Sequence, residues 1–334
     1  CILFFKKIDI DKIMKILITG VAGFIGFNFS KYLLEKTNFD IVGVDNINNY
    51  YSVNVKKKRL KILKDLKKFK FIRLDLTNKN KLDKVFKNNF YAVFHFAAQA
   101  GVRYSLINPR AYIQSNTMGF FNVIEASIKN KVKKIFYASS SSVYGDSKKF
   151  PLKENNSINP KNIYGLTKKN NEEICSLLAE IHKIPFIGLR FFTVFGEWGR
   201  PDMLIYKYLK SVFYKKEKFY LNNYGNHTRD FTYINDINKI LLNLLKQNIP
   251  NGNNIFNICS NNPIKITKVL NFISNEIKAK PKIHKRKFQK ADVMKTHGSN
   301  IKIKKFTKIK KFTNIDLAIS NTAKWYKENW KIFY

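Results

Sequence analysis

The sequence predicts an α/β protein with a doubly wound parallel sheet and a smaller α/β domain towards its C-terminal end. Two observations carry this prediction. Apolar runs of strand length alternate with segments of helical period as far as about residue 192. Beyond that residue the alternation loosens, and turns rich in Pro, Gly and Asn become frequent, as in GEWGRPD and NIPNGNN.

The predicted strands of the sheet follow one another along the chain. They are KILITG (15–20), FDIVGVD (39–45), FKFIRLD (69–75), YAVFHFA (91–97), KKIFYAS (133–139) and IPFIGLRFF (184–192). We expect one domain over 14–192 and a second mainly over 193–334, with segments near 229–260 returning to the first. Because MKILITG starts at Met14, where the first strand should begin, residues 1–13 are expected to be an extension outside the fold.

Composition limits the classes of partner. The chain has 62 Lys and Arg against 23 Asp and Glu, a formal charge of +39, but the lysines are scattered and form no single basic block. This pattern indicates solvated Lys surfaces with a general attraction for polyanions, and no specific nucleic-acid partner. No stretch approaches the roughly 20 apolar residues of a membrane span. The three cysteines are far apart and lack CxxC spacing, so we expect neither a disulfide framework nor a metal site. This cysteine usage favours a cytoplasmic location.

The first predicted strand leads into a glycine motif. LITGVAGFIG places Gly20, Gly23 and Gly26 between this strand and an apolar helix. Such a turn lets the backbone approach a pyrophosphate closely, and the free amides at the start of the helix, at Phe24 and Ile25, favour the anion. The position of the motif predicts a Rossmann-like dinucleotide site.

An acidic residue ends the second predicted strand. Asp45 follows the glycines by roughly 20 residues, where a carboxylate can accept hydrogen bonds from both hydroxyls of the adenosine ribose. The same charge would repel a 2′-phosphate. We therefore expect NAD rather than NADP.

A second group of residues indicates proton chemistry at a hydroxyl. Tyr164 and Lys168 form a Tyr-x-x-x-Lys motif on one face of a predicted helix. A nearby ammonium stabilises a phenolate, so Lys168 is expected to lower the pKa of Tyr164. Upstream, the row Ser139 to Ser142 offers a hydroxyl to align a substrate alcohol.

The order of these motifs resembles the extended short-chain dehydrogenase/reductases that act on nucleotide sugars, from Met14 onward. Within that family the sequence is most similar to the UDP-glucuronate 4-epimerase group. The stretches that carry this resemblance are HFAAQAGVRYS (95–105), SSSSVYG (139–145), LRFFTVFGEWGRPDM (189–203) and RDFTYINDI (229–237). The resemblance implies an isomerase that converts UDP-glucuronate to UDP-galacturonate through a 4-keto intermediate, using tightly bound NAD.

The resemblance also implies a role for each matching residue. Ser140 takes the position of the catalytic Ser or Thr, beside Tyr164 and Lys168, and these last two are also implied to contact the cofactor, Lys168 at the nicotinamide ribose. Ser141 and Ser142 stand where related 4,6-dehydratases have an Asp-Glu pair, and could hydrogen-bond a sugar carboxylate. Adenine and pyrophosphate contacts are implied for Asp75, Leu76, Ala97, Ala98 and Gln99, and substrate contacts for Thr193, Arg200, Arg229, Arg103 and Asp292.

The sequence is also compatible with other functions. The enzymatic alternatives are a UDP-glucose/UDP-galactose 4-epimerase and a UDP-glucuronate decarboxylase. An NAD-binding sensor or polyanion-binding protein is the non-enzymatic alternative, favoured only by the high charge. The resemblance implies a homodimer through helices around 111–129 and 163–182, and a place in capsule or lipopolysaccharide precursor supply. FQKADV (288–293) and Glu197 depart from the family pattern, which is expected to have Gln-Pro-Gly-Asp-Val and a Pro at these places.

Overall fold

The structure of the protein is a computed structural model, and it describes residues 14–214, 216–289 and 292–333. The predicted extension at 1–13 lies outside the described residues. The described residues form twelve strands: β1 Lys15–Thr19, β2 Asp40–Asp45, β3 Phe69–Arg73, β4 Ala92–His95, β5 Lys134–Ser140, β6 Pro185–Phe191, β7 Thr193–Phe195, β8 Phe219–Asn222, β9 Thr228–Tyr233, β10 Gly252–Ile258, β11 Pro263–Lys265 and β12 Ile283–Arg286.

A seven-stranded sheet is the centre of the fold. Its strand order is β10-β6-β5-β4-β1-β2-β3, and every neighbouring pair is parallel. The order reverses beside β1, which is the topology of a doubly wound sheet. Each strand predicted from the sequence has its counterpart here, so the predicted fold class is confirmed. The seventh strand, β10, lies within the segment expected to return to the first domain and pairs with β6.

Helices cover the sheet. They are α1 Phe24–Lys36, α2 Val53–Lys64, α3 Lys79–Phe86, α4 Tyr104–Ile107, α5 Pro109–Tyr112, α6 Gly119–Lys129, α7 Ile163–His182, α8 Leu204–Phe213, α9 Ile234–Lys246, α10 Ile266–Ile277, α11 Ile301–Thr307 and α12 Ile315–Asn329. A π-helical turn, Ile113–Met118, joins α5 to α6, and 3₁₀ turns span Ser141–Tyr144, Asn223–Gly225 and Trp330–Phe333. In the described part of the chain, no helix is long and apolar enough to cross a membrane.

The C-terminal part adds two small sheets beside the carboxyl ends of the parallel strands. One has the order β11-β9-β7, and the other pairs β12 with β8. One hydrophobic cluster joins both parts, because Ile16 and Phe94 of the parallel sheet belong to the same buried cluster as Leu244 and Ile319. The two parts therefore share a core, and the cleft between them lies at the edge where ligands bind in doubly wound sheets.

Candidate active site

A cavity of about 410 Å³ lies at the carboxyl ends of the parallel strands. Nearly all of the residues predicted as site residues line it. They are Gly20, Gly23, Phe24, Ile25, Gly26, Asp45, Asp75, Leu76, Ala97, Ala98, Gln99, Ser140, Ser141, Ser142, Tyr164, Lys168, Thr193, Arg200, Arg229 and Asp292. Arg103 instead lines an adjoining cavity of about 770 Å³, which shares Arg200, Arg229 and Asp292 with the first.

The glycine loop is built for a close approach to a ligand. Gly20 has a φ of +71°, and a Cβ atom on Gly26 would lie 2.3 Å from the carbonyl oxygen of Gly20. Side chains at these positions would therefore strain or fill the turn. The helix α1 begins at Phe24 without a side-chain cap, so its first amides remain available to a phosphate.

The acidic residues at the next two strand ends are held by hydrogen bonds. Asp45 accepts from the amides of Ala22 at 3.1 Å and Ile47 at 2.7 Å, which fixes its carboxylate between the glycine loop and the strand end. Burial alone would raise the pKa of Asp75, but hydrogen bonds from Thr77 and Asn46 bring it below its ordinary value. Both residues thus present ordered carboxylates to the cavity. The glycine cradle and Asp45 fit a dinucleotide with a free ribose 2′-hydroxyl.

The catalytic candidates meet at the end of β5 and the start of α7. The Ser140 hydroxyl accepts from the amide of Ser142 at 3.1 Å and lies 3.2 Å from the Ser142 hydroxyl. Burial raises the pKa of Tyr164, while a hydrogen bond with Ser140 and the charge of Arg200 act in the opposite direction. The sequence predicted a lowered pKa. Among the protein's own groups, burial outweighs the stabilisation of the phenolate.

Lys168 lies on the same face of α7 as Tyr164. Its Nζ atom is 5.9 Å from the centre of the Tyr164 ring and donates to the carbonyl oxygen of Ala138 at 2.7 Å. Burial lowers the pKa of Lys168 to about 8. His95 is buried nearby, and burial, together with the charge of Lys168, lowers its pKa to about 3, so the ring is neutral and pairs with Thr19.

The four serines of the row do not share one role. The Ser139 hydroxyl donates to Glu172 at 2.5 Å, and Glu172 forms a buried ion pair with Arg190. All four serines border the cavity, but the hydroxyl of Ser139 is used to pack α7 against the sheet.

Arg200 is already paired within the protein. Its Nε and Nη2 atoms donate to the two carboxylate oxygens of Asp202, at 2.9 and 2.5 Å. The Tyr50 hydroxyl donates to the same carboxylate at 3.1 Å. Burial would lower the pKa of Arg200, but Asp202 raises it above its ordinary value. A permanently charged guanidinium therefore faces the cavity in a fixed orientation.

A second charged group lies where the two cavities meet. Arg103 donates to both carboxylate oxygens of Asp292, at 3.1 and 2.6 Å, and His227 lies 4.0 Å from the same carboxylate. Arg229 donates to the carbonyl oxygens of Thr228, Val293 and Met294. Burial lowers the pKa of Arg229 to about 10, so it stays protonated at neutral pH. This group can receive a diphosphate.

Some residues near the cavity were not singled out from the sequence. Asn116, in the π-helical turn, forms two hydrogen bonds with the backbone of Gln99. Its Oδ1 atom accepts from the Gln99 amide at 2.7 Å, and its Nδ2 atom donates to the Gln99 carbonyl oxygen at 3.0 Å. Lys56 lines the cavity and donates to Asn48. Their partners lie in other elements or loops. Neither residue stands out in the sequence, because Lys56 lies in the Lys-rich run VNVKKKRLKILK and Asn116 in the polar run IQSNTM.

The fold and the site together define an α/β dinucleotide-binding enzyme. Comparison with known proteins identifies the family: residues 16–259 match the model of the NAD dependent epimerase/dehydratase family. The chain belongs to this family.

Individual relatives cover nearly the whole chain. The protein CapI of Staphylococcus aureus is 37% identical over 336 residues, covering 95% of this chain and 100% of CapI. A UDP-glucuronate 4-epimerase of Thermodesulfobacterium geofontis is 38% identical, covering 94% of this chain and 96% of that protein. The crystal structure of a UDP-glucuronic acid 4-epimerase from Bacillus cereus, in complex with UDP-glucuronic acid and NAD, is similar with a TM-score of 0.89 at 27% identity, covering 95% of this chain and 100% of that one.

Proposed function

We propose that this chain catalyses the NAD-dependent 4-epimerisation of UDP-glucuronate to UDP-galacturonate. The observation that supports it most is the arrangement within one cavity of a Ser, Tyr and Lys set for proton transfer and an arginine suited to a carboxylate. Relatives at 32 to 38% identity over more than nine tenths of this chain are UDP-glucuronate 4-epimerases by name.

The glycine loop and Asp45 would hold NAD, which would supply a reversible hydride acceptor for C4 of the sugar. Tyr164 takes the proton of the 4-hydroxyl and gives it back when the ketone is reduced. Ser140, hydrogen-bonded to Tyr164, aligns the sugar oxygen for this transfer. Lys168 stabilises the phenolate with its charge. Epimerisation requires the 4-keto sugar to present its other face to the same residues.

The carboxylate of the sugar makes the intermediate prone to lose CO₂, because it is a β-keto acid. Asp202 takes the edge of Arg200 formed by Nε and Nη2, so Nη1 is the atom that we assign to the sugar carboxylate. Ser141, Ser142 and Thr193 supply hydroxyls along the same cavity wall. Held in this way, the breaking bond would overlap poorly with the ketone, and decarboxylation is suppressed.

The diphosphate is assigned to the charged group between the two cavities. Arg229 provides the charge, and its backbone anchors fix the direction of its guanidinium. Arg103 and Asp292 already neutralise each other in part, so Asp292 orients Arg103 at the mouth of the cavity and can accept from a ribose hydroxyl. These contacts would hold UDP while the sugar turns.

The experiment that tests the proposal incubates purified protein with UDP-glucuronate, without added cofactor, and separates the products by chromatography with mass detection. UDP-galacturonate of unchanged mass supports the epimerase and indicates retained NAD. Loss of CO₂ would identify a decarboxylase. If UDP-glucuronate is not turned over even with added NAD, UDP-glucose is tested next. Absence of turnover of both sugars would favour the NAD-binding sensor or polyanion-binding protein.

We further propose that two copies of the chain form a dimer through α4, the π-helical turn, α6 and α7. These helices expose large apolar side chains: Leu106, Ile107, Ile113, Met118, Phe121, Leu166, Leu177 and Ile181. Such a concentration of exposed apolar area is typical of an interface. Light scattering on Met118→Lys should give a monomer, whereas Leu317→Lys, on α12 and equally exposed, should leave the dimer intact. A monomeric wild type would contradict this.

We place the reaction in the cytoplasm. Cys175 and Cys259 are free and buried, as expected for a protein kept in a reducing compartment. The product would supply a polysaccharide that contains galacturonate.

A further inference from the structure

Arg59 lies within α2, and its side chain is fully buried. Across residues 14–214, 216–289 and 292–333 no carboxylate forms an ion pair with it. Its Nε atom is buried without a hydrogen-bond partner. Burying a guanidinium without an opposite charge is unfavourable, because its lost hydration is not replaced by a charge partner. Because this burial is unfavourable, we infer that Arg59 has a role beyond packing, and the groups to which it donates indicate that role.

The terminal nitrogens of Arg59 reach two loops that are distant in sequence. Nη1 donates to the carbonyl oxygen of Ala22, inside the glycine loop, at 2.8 Å. Nη2 donates to the carbonyl oxygens of Trp198 and Gly199, at 2.5 and 3.2 Å. The next residue is Arg200. One guanidinium thus joins the loop assigned to the dinucleotide to the loop assigned to the sugar carboxylate.

The second of these loops, Gly196 to Arg200, is called the carboxylate loop here. Trp198 has a φ of 58°, an uncommon conformation for a residue with a side chain. Tyr206 also anchors this loop, since its hydroxyl donates to the carbonyl oxygen of Gly196 at 2.9 Å and accepts from the amide of Gly199 at 2.7 Å. Tyr206 therefore offers a comparison, because its two hydrogen bonds to the carboxylate loop involve no atom of the glycine loop.

We propose that Arg59 is a positioning residue that fixes the glycine loop and the carboxylate loop relative to each other, so that NAD binding and uronate binding strengthen one another. The inference rests on the proposed function, since it takes Arg200 as the ligand of the sugar carboxylate. Ordering either loop orders the other through the shared guanidinium. Such coupling is reciprocal, so each ligand slows the loss of the other.

The test measures the exchange of bound NAD for deuterated NAD by mass spectrometry, with UDP-glucuronate and separately with UDP. In the wild type, UDP-glucuronate should slow exchange about tenfold more than UDP does, within the usual range of coupling between sites. In Arg59→Lys this difference should fall to less than about twofold, because an ammonium cannot reproduce the fork of donors that joins the two loops. Tyr206→Phe should raise the KM for UDP-glucuronate but keep the difference.

A milder variant guards against failure of Arg59→Lys to fold. Tyr51→Phe removes the hydroxyl that accepts from Nη1 of Arg59 at 2.8 Å and leaves the buried charge in place. It should reduce the coupling in the same direction by a smaller factor. Coupling that is unchanged in both variants, absent from the wild type, or lost equally in Tyr206→Phe would overturn the proposal. The exchange of NAD depends on binding and needs no turnover. A wild type that binds both ligands but is inactive would therefore refute the proposed epimerase function, while the exchange rates would still test the coupling through Arg59.

Discussion

Replacing Lys168 by Met tests whether the charge of this residue drives proton transfer by Tyr164. The Nζ atom lies 5.9 Å from the Tyr164 ring centre. With the phenolate charge placed at the ring centre and an effective dielectric constant of about 20, Coulomb's law gives about 3 kcal/mol. This equals about two pKa units of phenolate stabilisation. At pH 7, where Lys168 with a pKa of about 8 is still mostly charged, kcat for UDP-glucuronate should fall about 100-fold in the variant.

A matched control exists on β5, the strand whose Ala138 carbonyl oxygen accepts from Lys168. Lys134, at the start of β5, is also buried, donates to the carbonyl oxygens of Leu245 and Gln247, and has a pKa lowered by burial to about 8. Lys134→Met removes an equivalent buried ammonium at the opposite end of the strand. The assay follows UDP-galacturonate formation at saturating NAD and substrate. A Lys168→Met variant within threefold of the wild type, or an equal loss in Lys134→Met, would refute the reasoning.

Three further changes test other parts of the account. Tyr164→Phe should lower kcat about 1,000-fold, as expected for loss of a proton-transfer group, while calorimetry still detects UDP-glucuronate binding. Asp45→Asn should reduce the preference for NAD over NADP about tenfold, measured on nucleotide retained after incubation with both, because a repulsive charge is removed. Burial raises the pKa of Asp230 to about 6. The folded protein thus binds this proton more tightly than the unfolded chain. Asp230 should therefore lower the free energy of unfolding by about 2 kcal/mol from pH 4 to 7, and Asp230→Asn should remove that part of the slope in denaturant titrations.

The sequence was most informative where local pattern and chain order decide the structure. The strands β1 to β6 end within two residues of the ends predicted from the sequence, because parallel strands buried on both faces are near-continuous apolar runs. The carboxyl ends of such strands meet at one edge. That is why Gly20 and Asp45 could be placed at one edge from the order of the strands, whereas Tyr164, on α7, was found by its Tyr-x-x-x-Lys motif.

Pairings between distant residues were beyond that reasoning. Arg200 and Arg103 were expected to contact the substrate, and nothing in the sequence indicated that each is also bound to a carboxylate of the protein, Asp202 and Asp292 respectively. In the sequence, Arg59 cannot be told apart from the other basic residues of a Lys-rich helix. Only the tertiary structure shows that it is buried between two loops. Side chains that join separate loops leave no periodic trace in the sequence.

The central claim is that the chain inverts C4 of UDP-glucuronate by taking a hydride from the sugar and returning the same hydride. The most direct measurement uses UDP-glucuronate deuterated at C4 and protein as purified, with products analysed by mass spectrometry and NMR. We expect UDP-galacturonate that retains its deuterium at C4. Product that has lost the deuterium to solvent, or a UDP-pentose formed with release of CO₂, would contradict it.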